Sequence, residues 1–173
     1  MIPLVRWRHD GYSGTGDDSD DIGLIRLETW SVAKSIPIYD GSPSSGQWLH
    51  AQGWGVTANG NFNWGTLRDN PYWNQSVKEV GTEYFRSLAV KNTRLCSGDS
   101  GTAIVTYAGS RIAAAGIASW ATAPDGITGT FCAAGGKKMG HTRIRAKMQW
   151  IQNRLEQSPG GGCSEYGDYW LCK

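Results

Sequence analysis

Short apolar runs separated by polar, glycine-rich stretches give this chain its main pattern. Apolar and polar positions alternate over residues 103–107 and 112–117, the period expected of strands that bury one face. Asn-Gly at residues 59–60 and Ala-Gly at residues 108–109 have the composition of hairpin turns. No long helical pattern occurs before residue 145. The pattern therefore predicts an all-β fold for most of the chain.

A helical period first appears over residues 146–157, where Met148, Ile151 and Leu155 fall on one stripe. Ser, Pro and Gly at residues 158–162 end this helix and begin a flexible linker. The tail that follows contains two cysteines and three large aromatic residues. We expect it to pack back onto the domain.

The composition and charge of the chain exclude two classes of partner. Its 24 Gly, nine Trp and seven Tyr suit short strands joined by tight turns. The formal net charge is only +2 and the charges are dispersed, so no nucleic-acid partner is expected. No apolar run approaches the roughly 18 residues of a membrane-spanning helix, so no membrane partner is expected either.

The segment RLCSGDSG at residues 94–101 carries the candidate nucleophile, Ser100. A serine hydroxyl needs an adjacent base, together with donors for the oxyanion that forms when it attacks a carbonyl. Gly98 allows the backbone to bend so that its own N–H and that of Ser100 point at one spot. Gly101 allows a substrate chain to approach closely. An ordinary turn can have the same tetrapeptide, so the surrounding motifs decide.

Other short motifs flank this segment in a fixed order. They are DIGLIRL at residues 21–27, GWG at 53–55, GIASW at 116–120, Cys132, TRI at 142–144 and WI at 150–151. In this order they resemble the chymotrypsin/trypsin family of serine endopeptidases, over roughly residues 1–157. The resemblance implies an all-β, trypsin-like antiparallel β-barrel fold: a complete second barrel, a remnant of the first, and a C-terminal α-helix.

The resemblance also divides the chain into segments. Residues 1–30 are expected to be the remnant of the N-terminal barrel with the triad Asp, and residues 31–46 a connector. Residues 47–145 are expected to form the C-terminal barrel with the nucleophile, and residues 146–157 the C-terminal helix. Residues 158–173 are a Gly-rich linker and a disulfide-looped tail.

The same resemblance assigns the catalytic roles. Ser100 is the nucleophile of a Ser-His-Asp triad, Asp21 is its carboxylate, and the amides of Gly98 and Ser100 form the oxyanion hole. The expected substrate is a peptide or protein, and no cofactor or metal is expected. The acidic loop at residues 17–21 is expected to be solvated apart from Asp21, because its spacing matches no known cation loop.

The specificity pocket is implied by the resemblance as well. Its floor falls on Arg94, six residues before Ser100, and one wall on Ser119, Trp120 and Ala121. Trypsin-like members have Asp at the floor to pair with Lys or Arg of the substrate, and this chain has the opposite charge. If Arg94 points inward, it favours an acidic substrate residue or blocks the pocket; if it points outward, the pocket is small and apolar. In each case we expect no cleavage after Lys or Arg.

Two parts of the family's machinery have no match in the sequence. The family's general base is a His well upstream of the Asp, and only twenty residues precede Asp21. We expect His9, His50 and His141 to be structural, and the His to come from a missing N-terminal segment or a second chain. The N-terminal amine that pairs with the residue matching Asp99 is also missing, so Asp99 needs another partner, solvent, or an outward turn. The chain alone is expected to be inactive.

The four cysteines are even in number and indicate two disulfides. The resemblance pairs Cys96 with Cys132, while Cys163 and Cys172 close a short loop in the tail. Zinc is the alternative, but no Cys-x-x-Cys pair or nearby His supports it. Two disulfides indicate an extracellular, secreted protein, although the first six residues have no signal-peptide features.

Two alternatives to a secreted endopeptidase remain open. One is a catalytically inactive, protease-like barrel that only binds. The other is a carbohydrate-binding β module, in which some of the nine Trp stack on sugar rings. The presence of both Asp21 and Ser100 favours the peptidase, because a binding module has no need of the two together.

Overall fold

The computed structural model describes residues 3–14, 19–27, 33–60, 67, 75–90, 94–127, 129, 131–158 and 160–172. In these ranges the chain forms short strands and one α-helix. The strands are β1 Pro3–Arg8, β2 Gly23–Leu27, β3 Ile38–Tyr39, β4 Trp48–Ala51, β5 Gln75–Val80, β6 Tyr84–Ala89, β7 Ala103–Ala108, β8 Arg111–Ala121, β9 Met139–Arg143, β10 Cys163–Tyr166 and β11 Tyr169–Cys172.

Six of these strands close into an antiparallel barrel in the order β8, β7, β4, β5, β6 and β9, with β9 pairing back onto β8. Closure depends on β8, whose 11 residues are enough to pair with β7 and with β9. Ile117 of β8 lies opposite both Ala103 and Thr142. Closing the sheet removes the unpaired edges that six separate strands would leave. The predicted all-β, trypsin-like fold with a complete second barrel is confirmed.

The barrel interior is filled by large side chains from its strands. Leu49, Val77, Phe85, Ile104 and Met139 are all fully buried in one cluster. Close packing also explains one glycine of the GIASW motif. A Cβ at position 116 would lie 2.5 Å from the ring of Phe85, so the residue type at 116 is set by the aromatic side chain across the barrel.

Strands β1 and β2 form a separate two-stranded antiparallel ribbon. Ile22 and Leu24 pack from this ribbon onto a second apolar cluster, which includes Met148 and Ile151. The opposite side of the ribbon carries Ile25, which is 62% exposed. The ribbon therefore fixes the residues just before β2 against the barrel, and Asp21 is one of them.

The predicted C-terminal helix is present as α1, Met148–Glu156, directly after a 3-10 turn over Ile144–Lys147. The tail forms a hairpin of β10 and β11, and β11 pairs with β3, which runs parallel to β8. Trp170 anchors this hairpin by donating a hydrogen bond of 2.5 Å from its indole N–H to the Asp40 carboxylate. No helix in the described ranges is long and apolar enough to cross a membrane.

Candidate active site

The loop that carries Ser100 is tied to the barrel by backbone hydrogen bonds. The N–H of Gly101 donates to the carbonyl of Ala118 at 2.8 Å, and the N–H of Ala118 donates to the carbonyl of Thr102 at 2.9 Å. Gly98 has φ 91° and Gly101 has φ 83°, left-handed conformations that glycine adopts without strain. Ser100 itself is exposed at the surface of this loop. The backbone thus holds the candidate nucleophile on one side of β8.

Asp99, the residue before the candidate nucleophile, is buried and paired with backbone amides. Its Oδ1 accepts a hydrogen bond from the N–H of Gly55 at 2.9 Å, and its Oδ2 accepts one from the N–H of Cys96 at 2.7 Å. Amide donors stabilise a buried carboxylate much as a cationic partner would. The sequence left three alternatives open for Asp99: another partner, solvent, or an outward turn. The structure has the first of these, because backbone amides replace the N-terminal amine as the partner of the carboxylate.

The GWG motif is explained by the same carboxylate. A Cβ at position 53 would lie 2.1 Å from Oδ1 of Asp99, and a Cβ at position 55 would lie 2.7 Å from it. Atoms this close overlap, so both positions must lack a side chain while Asp99 points inward. Gly53 and Gly55 therefore form the backbone wall against which the Asp99 carboxylate rests.

The amides of this loop divide into two groups. The N–H groups of Cys96, Ser97, Asp99, Gly101 and Thr102 all donate hydrogen bonds within the protein. The N–H groups of Gly98 and Ser100 donate to no group in the described part of the chain. Both residues line the same cavity. Two unused donors on one loop are the arrangement that stabilises a developing oxyanion.

Asp21 contacts the end of β8, which faces the nucleophile loop. It precedes β2 and is half-buried, and its Oδ2 accepts a hydrogen bond of 2.7 Å from the hydroxyl of Ser119. The hydroxyl of Thr142 donates to the backbone carbonyl of Asp21 at 2.9 Å. One contact orients the carboxylate and the other fixes the backbone that carries it. The structure thus links Asp21 to the wall of the cavity beside Ser100.

A cavity of about 360 Å³ opens beside Ser100. One wall is the nucleophile loop and the other is the end of β8, including the predicted wall residues Ser119, Trp120 and Ala121. The residues that line it are Leu95, Cys96, Ser97, Gly98, Asp99, Ser100, Ala118, Ser119, Trp120, Ala121 and Phe131. The cavity therefore brings together Ser100, both oxyanion-hole candidates and all but one of the predicted pocket residues.

Arg94 is the exception, because it lies outside the cavity lining. Its Nη1 donates a hydrogen bond of 3.2 Å to the carbonyl of Ala133, and Gly135 lies beside the same guanidinium. The guanidinium therefore does not take the inward position, and this contact is with a backbone carbonyl. Leu95, the next residue, lines the cavity in its place.

The three histidines lie elsewhere in the fold, and none lines this cavity. His9 lies 3.1 Å from the carboxylate of Asp20 and packs its ring on Trp150, with 5.1 Å between centroids. His50 lies on β4. The contacts of His9 are those of a structural residue, in line with the expectation from sequence.

His141 is fully buried on β9 in a chain of polar contacts. Ser87 donates a hydrogen bond of 2.5 Å to Gln75, and Nε2 of His141 lies 2.7 Å from the same hydroxyl oxygen. Because the Ser87 proton is committed to Gln75, the proton of the imidazole belongs on Nε2. Burial lowers the pKa of His141 to about 3, so the ring is neutral at ordinary pH.

A buried lysine that pairs with Asp20, the residue before Asp21, was not predicted from the sequence. Lys147 donates to Asp20 at 2.6 Å and also to Glu83, and only 6% of its side chain is exposed. Burial acts to lower the pKa of Lys147, but the hydrogen bonds that its ammonium donates to the two carboxylates outweigh burial and raise the pKa. The only signal in the sequence was the position of this charged residue directly before Met148, the first residue of the predicted apolar stripe.

Two disulfides occur in the described residues, and one of them adjoins the site. Cys96 pairs with Cys132, next to the nucleophile loop, and Cys163 pairs with Cys172 in the tail hairpin. Both predicted pairings are therefore present. No group of three or more metal-ligating side chains occurs in the described ranges. Asp17 and Asp18 of the acidic loop lie outside those ranges.

A closed six-stranded barrel with Ser100, Asp21 and two unused loop amides at one edge defines the class of trypsin-like serine proteases. The family model named Trypsin matches residues 4–151, and the chain belongs to that family. Among solved structures, it is similar to neuropsin, a serine protease expressed in the limbic system of mouse brain.

That likeness has a TM-score of 0.69 and covers 88% of this chain and 70% of neuropsin. At 21% sequence identity it is a likeness of fold. A comparison of the sequence with curated proteins finds no match.

Proposed function

We propose that this chain is the nucleophile-bearing part of a secreted serine endopeptidase, with Ser100 as nucleophile and Asp21 as triad carboxylate. The general-base His comes from outside these 173 residues, on an N-terminal segment or a second chain. The proposal is supported above all by one observation: the Asp21 carboxylate is hydrogen-bonded to Ser119, and Ser119 lines the cavity that Ser100 also lines.

The chemistry follows from these positions. The His removes the proton from Oγ of Ser100 as that oxygen attacks the peptide carbonyl, and Asp21 stabilises the imidazolium that forms. The N–H groups of Gly98 and Ser100 receive the oxyanion. The His then gives its proton to the leaving amine as the C–N bond breaks, which leaves an acyl-enzyme on Ser100. Water attacks the ester by the same route, and the new acid and the free Ser100 hydroxyl are released.

The loop geometry supports a preformed oxyanion hole. Asp99 is held by the amides of Gly55 and Cys96, so the loop between Cys96 and Ser100 is fixed by backbone contacts in the described residues. A fixed donor pair needs no reorganisation when negative charge develops, and this is the main advantage of such sites.

Secretion is supported by the two disulfides. Such bonds form and persist in oxidising compartments and are rare in the reducing cytosol. The substrate is accordingly a peptide or protein met outside the cell.

A catalytically inactive binding protein is the second candidate. It is favoured by the composition of the cavity, because none of the histidines of this chain lies in its lining. A trypsin-like site without its base retains only about 10³–10⁴-fold catalysis over water, from the oxyanion hole and binding.

The deciding experiment uses the protein as its native source produces it. The intact mass and N-terminal sequence are measured, and the sample is treated with a fluorophosphonate, which modifies only an activated serine. We expect a species heavier than 18.8 kDa, or a copurifying His-bearing chain, with the label on the Ser100 peptide. A Ser100→Ala variant is the matched control and takes up no label. An unlabelled species that starts at Met1 and has no partner would establish the binding protein instead.

A further inference from the structure

We propose that a row of exposed apolar side chains on the outside of the barrel binds an anionic lipid surface. The apolar row consists of Trp48, Tyr107, Ile112 and Ile36, at the end of the barrel opposite the cavity. The inference goes beyond the proposed peptidase function, and it can be tested without any catalytic step.

The register of three barrel strands brings the first three members of the row together. Tyr107 of β7 pairs with Ile112 of β8. The pairing of His50 with Val105, continued two residues along each strand, brings Trp48 of β4 beside Tyr107. Residues that lie opposite each other in a sheet have their side chains on the same face. These three side chains therefore form one line across β4, β7 and β8.

The fourth member extends the line onto β3. Ile38 of β3 pairs with Ala114 of β8 in a parallel register, so Ile36 lies beside Ile112 two residues earlier on both segments. The N–H of Ala114 donates to the carbonyl of Pro37 at 2.8 Å, which fixes this segment against β8. Neighbouring strands are about 4.8 Å apart, so the row extends about 15 Å across the sheet.

All four side chains of the row point to solvent. Their exposed fractions lie between 47% and 54%. Their neighbours Leu49, Thr106 and Ala113 are buried, because successive residues of a strand face opposite sides of the sheet. Several large apolar side chains exposed side by side are typical of a surface that binds a partner or a membrane.

The shape and size of the apolar row favour a lipid surface over a protein. The outside of a closed barrel is convex, so the row offers no groove for an extended peptide. Four half-exposed side chains offer on the order of 400 Å², so two copies would bury about 800 Å², less than the roughly 1,200–2,000 Å² of stable interfaces. Single side chains can enter a lipid surface without such an area, and Trp and Tyr favour the boundary between water and hydrocarbon.

Three exposed cations lie next to the row, and they select an anionic surface over a neutral one. They are Lys34, Lys78 and Arg111. Arg111 adjoins Ile112 in β8, and Lys78 is two residues beyond the β5 partner of Trp48. Lys34 is two residues before the last member of the row. Lys and Arg side chains near an anionic membrane are attracted to it and add to the binding of apolar groups.

Acidic residues near the row do not cancel these cations. Glu79 is paired with Arg86 at 3.1 Å, and Asp40 is paired with Arg145 at 2.5 Å. The carboxylate of Asp168 lies close to the turn between β7 and β8, 3.8 Å from where a Cβ at position 109 would be. The three cations therefore outnumber the acids left without a cation on the described parts of β3, β4, β5, β7, β8 and this turn.

Binding through the apolar row leaves the cavity open to substrate. Ile112 and Ser119 are seven residues apart on β8, which corresponds to roughly 20 Å along a strand. A barrel that lies on lipid through Ile112 thus holds Ser100 and the cavity wall away from the surface. Such binding needs no spanning segment. The expectation of no membrane partner, which was argued from the lack of a long apolar run, is revised here for a surface contact alone.

The test is cosedimentation of the native protein with vesicles. One set of vesicles is phosphatidylcholine alone, and the other contains about 30 mol% phosphatidylserine as the anionic lipid. We expect the protein to sediment with the anionic set and to remain in solution with the neutral set. Sedimentation should decrease as salt is added, because screening weakens the attraction of the cations to the lipid.

A pair of double variants tests the apolar side chains. Tyr107→Ser with Ile112→Ser weakens binding to the anionic vesicles on the order of 10-fold. The matched control is Tyr166→Ser with Val80→Ser, which also removes two exposed apolar side chains but outside the row, and it binds like the parent. Urea midpoints measured for both double variants show that each is folded.

A pair of single variants tests the charges. Arg111→Gln weakens binding to the anionic vesicles on the order of 5-fold. Lys137→Gln removes an exposed cation just before β9, at the cavity end of the barrel, and leaves binding unchanged.

Four outcomes would overturn the inference. They are no sedimentation with the anionic vesicles, equal sedimentation with both sets, equal losses in the row variant and its control, and equal losses in the two single variants. A dimer that forms without lipid and is lost in the Tyr107 and Ile112 double variant would assign the row to a second copy of the chain, and it would also overturn the lipid assignment.

Discussion

The hydroxyl of Ser119 donates a hydrogen bond of 2.7 Å to the carboxylate of Asp21, joining residues 98 positions apart in the chain. Ser119 lies near the end of β8, and Asp21 lies just before the ribbon strand β2. The contact therefore connects the ribbon to the barrel at the edge of the cavity that contains Ser100. It holds the carboxylate in one orientation before any base or substrate is bound.

We predict that Ser119→Ala destabilises the chain by about 1–2 kcal/mol, because it removes a hydrogen bond to a half-buried charged group. The measurement is the urea midpoint of unfolding. Ser164→Ala on the exposed strand β10 is the matched control and leaves the midpoint unchanged. In the native protein, Ser119→Ala also slows fluorophosphonate labelling of Ser100. Equal midpoints for the two variants would contradict the role given to this contact.

The family resemblance carried by the ordered motifs implied the barrel and the Cys96–Cys132 pair, and the period of apolar residues predicted the helix. Such a period reports directly which face of an element is buried. The trypsin family model likewise matches residues 4–151, the part of the chain that contains these motifs. The residue types at motif and core positions are set by the fold as a whole.

The direction of single side chains could not be predicted in this way. Arg94 occupies the expected position in the chain, yet its guanidinium is held by a carbonyl 39 positions away. Asp99 is paired with amides, which every residue except proline carries and which therefore leave no signature in the sequence. Lys147 finds its partner Glu83 across 64 positions. These contacts depend on three-dimensional proximity alone.

We predict that Gly53→Ala displaces the Asp99 carboxylate. The added Cβ would lie 2.1 Å from Oδ1 of Asp99 and meets no other group as closely, so the carboxylate has to move away from its amide donors. The expected cost is about 2–3 kcal/mol from overpacking and an imperfectly paired charge. Gly162→Ala is the control, since nothing lies within 4 Å of a Cβ there.

The measurements for this prediction are the urea midpoint and the labelling of Ser100 in the native protein. We expect a lower urea midpoint and slower labelling of Ser100 in Gly53→Ala, and no change of either quantity in Gly162→Ala. Full labelling of Gly53→Ala would show that the position of Asp99 does not control the oxyanion loop.

We predict that Lys147→Met destabilises the chain by about 2 kcal/mol. Removing one member of a fully enclosed ion pair costs about 3–5 kcal/mol, and the cost is smaller here because Glu83 is 42% exposed. The substitution leaves the carboxylates of Asp20 and Glu83 facing each other without the cation. Since Asp20 adjoins Asp21, we also expect slower labelling of Ser100.

Lys138→Met is the matched control for Lys147. It removes a cation from Glu79 in a salt bridge of 2.5 Å, but 47% of the Lys138 side chain is exposed. Exposed pairs are largely screened by solvent, so the urea midpoint should stay the same. A larger decrease of the urea midpoint in Lys138→Met than in Lys147→Met would show that burial of the lysine does not determine how much its ion pair stabilises the chain.

Finally, we predict that His141 makes the fold sensitive to acid. Burial lowers its pKa to about 3 from the ordinary 6.5, so between these values the unfolded chain binds a proton that the folded chain excludes. Stability therefore falls as pH decreases through this window, by about 1.4 kcal/mol per pH unit from this residue. A second proton would sit on Nδ1, which is buried and has no acceptor in the described structure. His141→Gln keeps a donor for Ser87 and cannot titrate, so its urea midpoint should fall less steeply from pH 7 to pH 4. The two proteins differ only at position 141, so parallel curves would show that His141 is protonated inside the folded barrel.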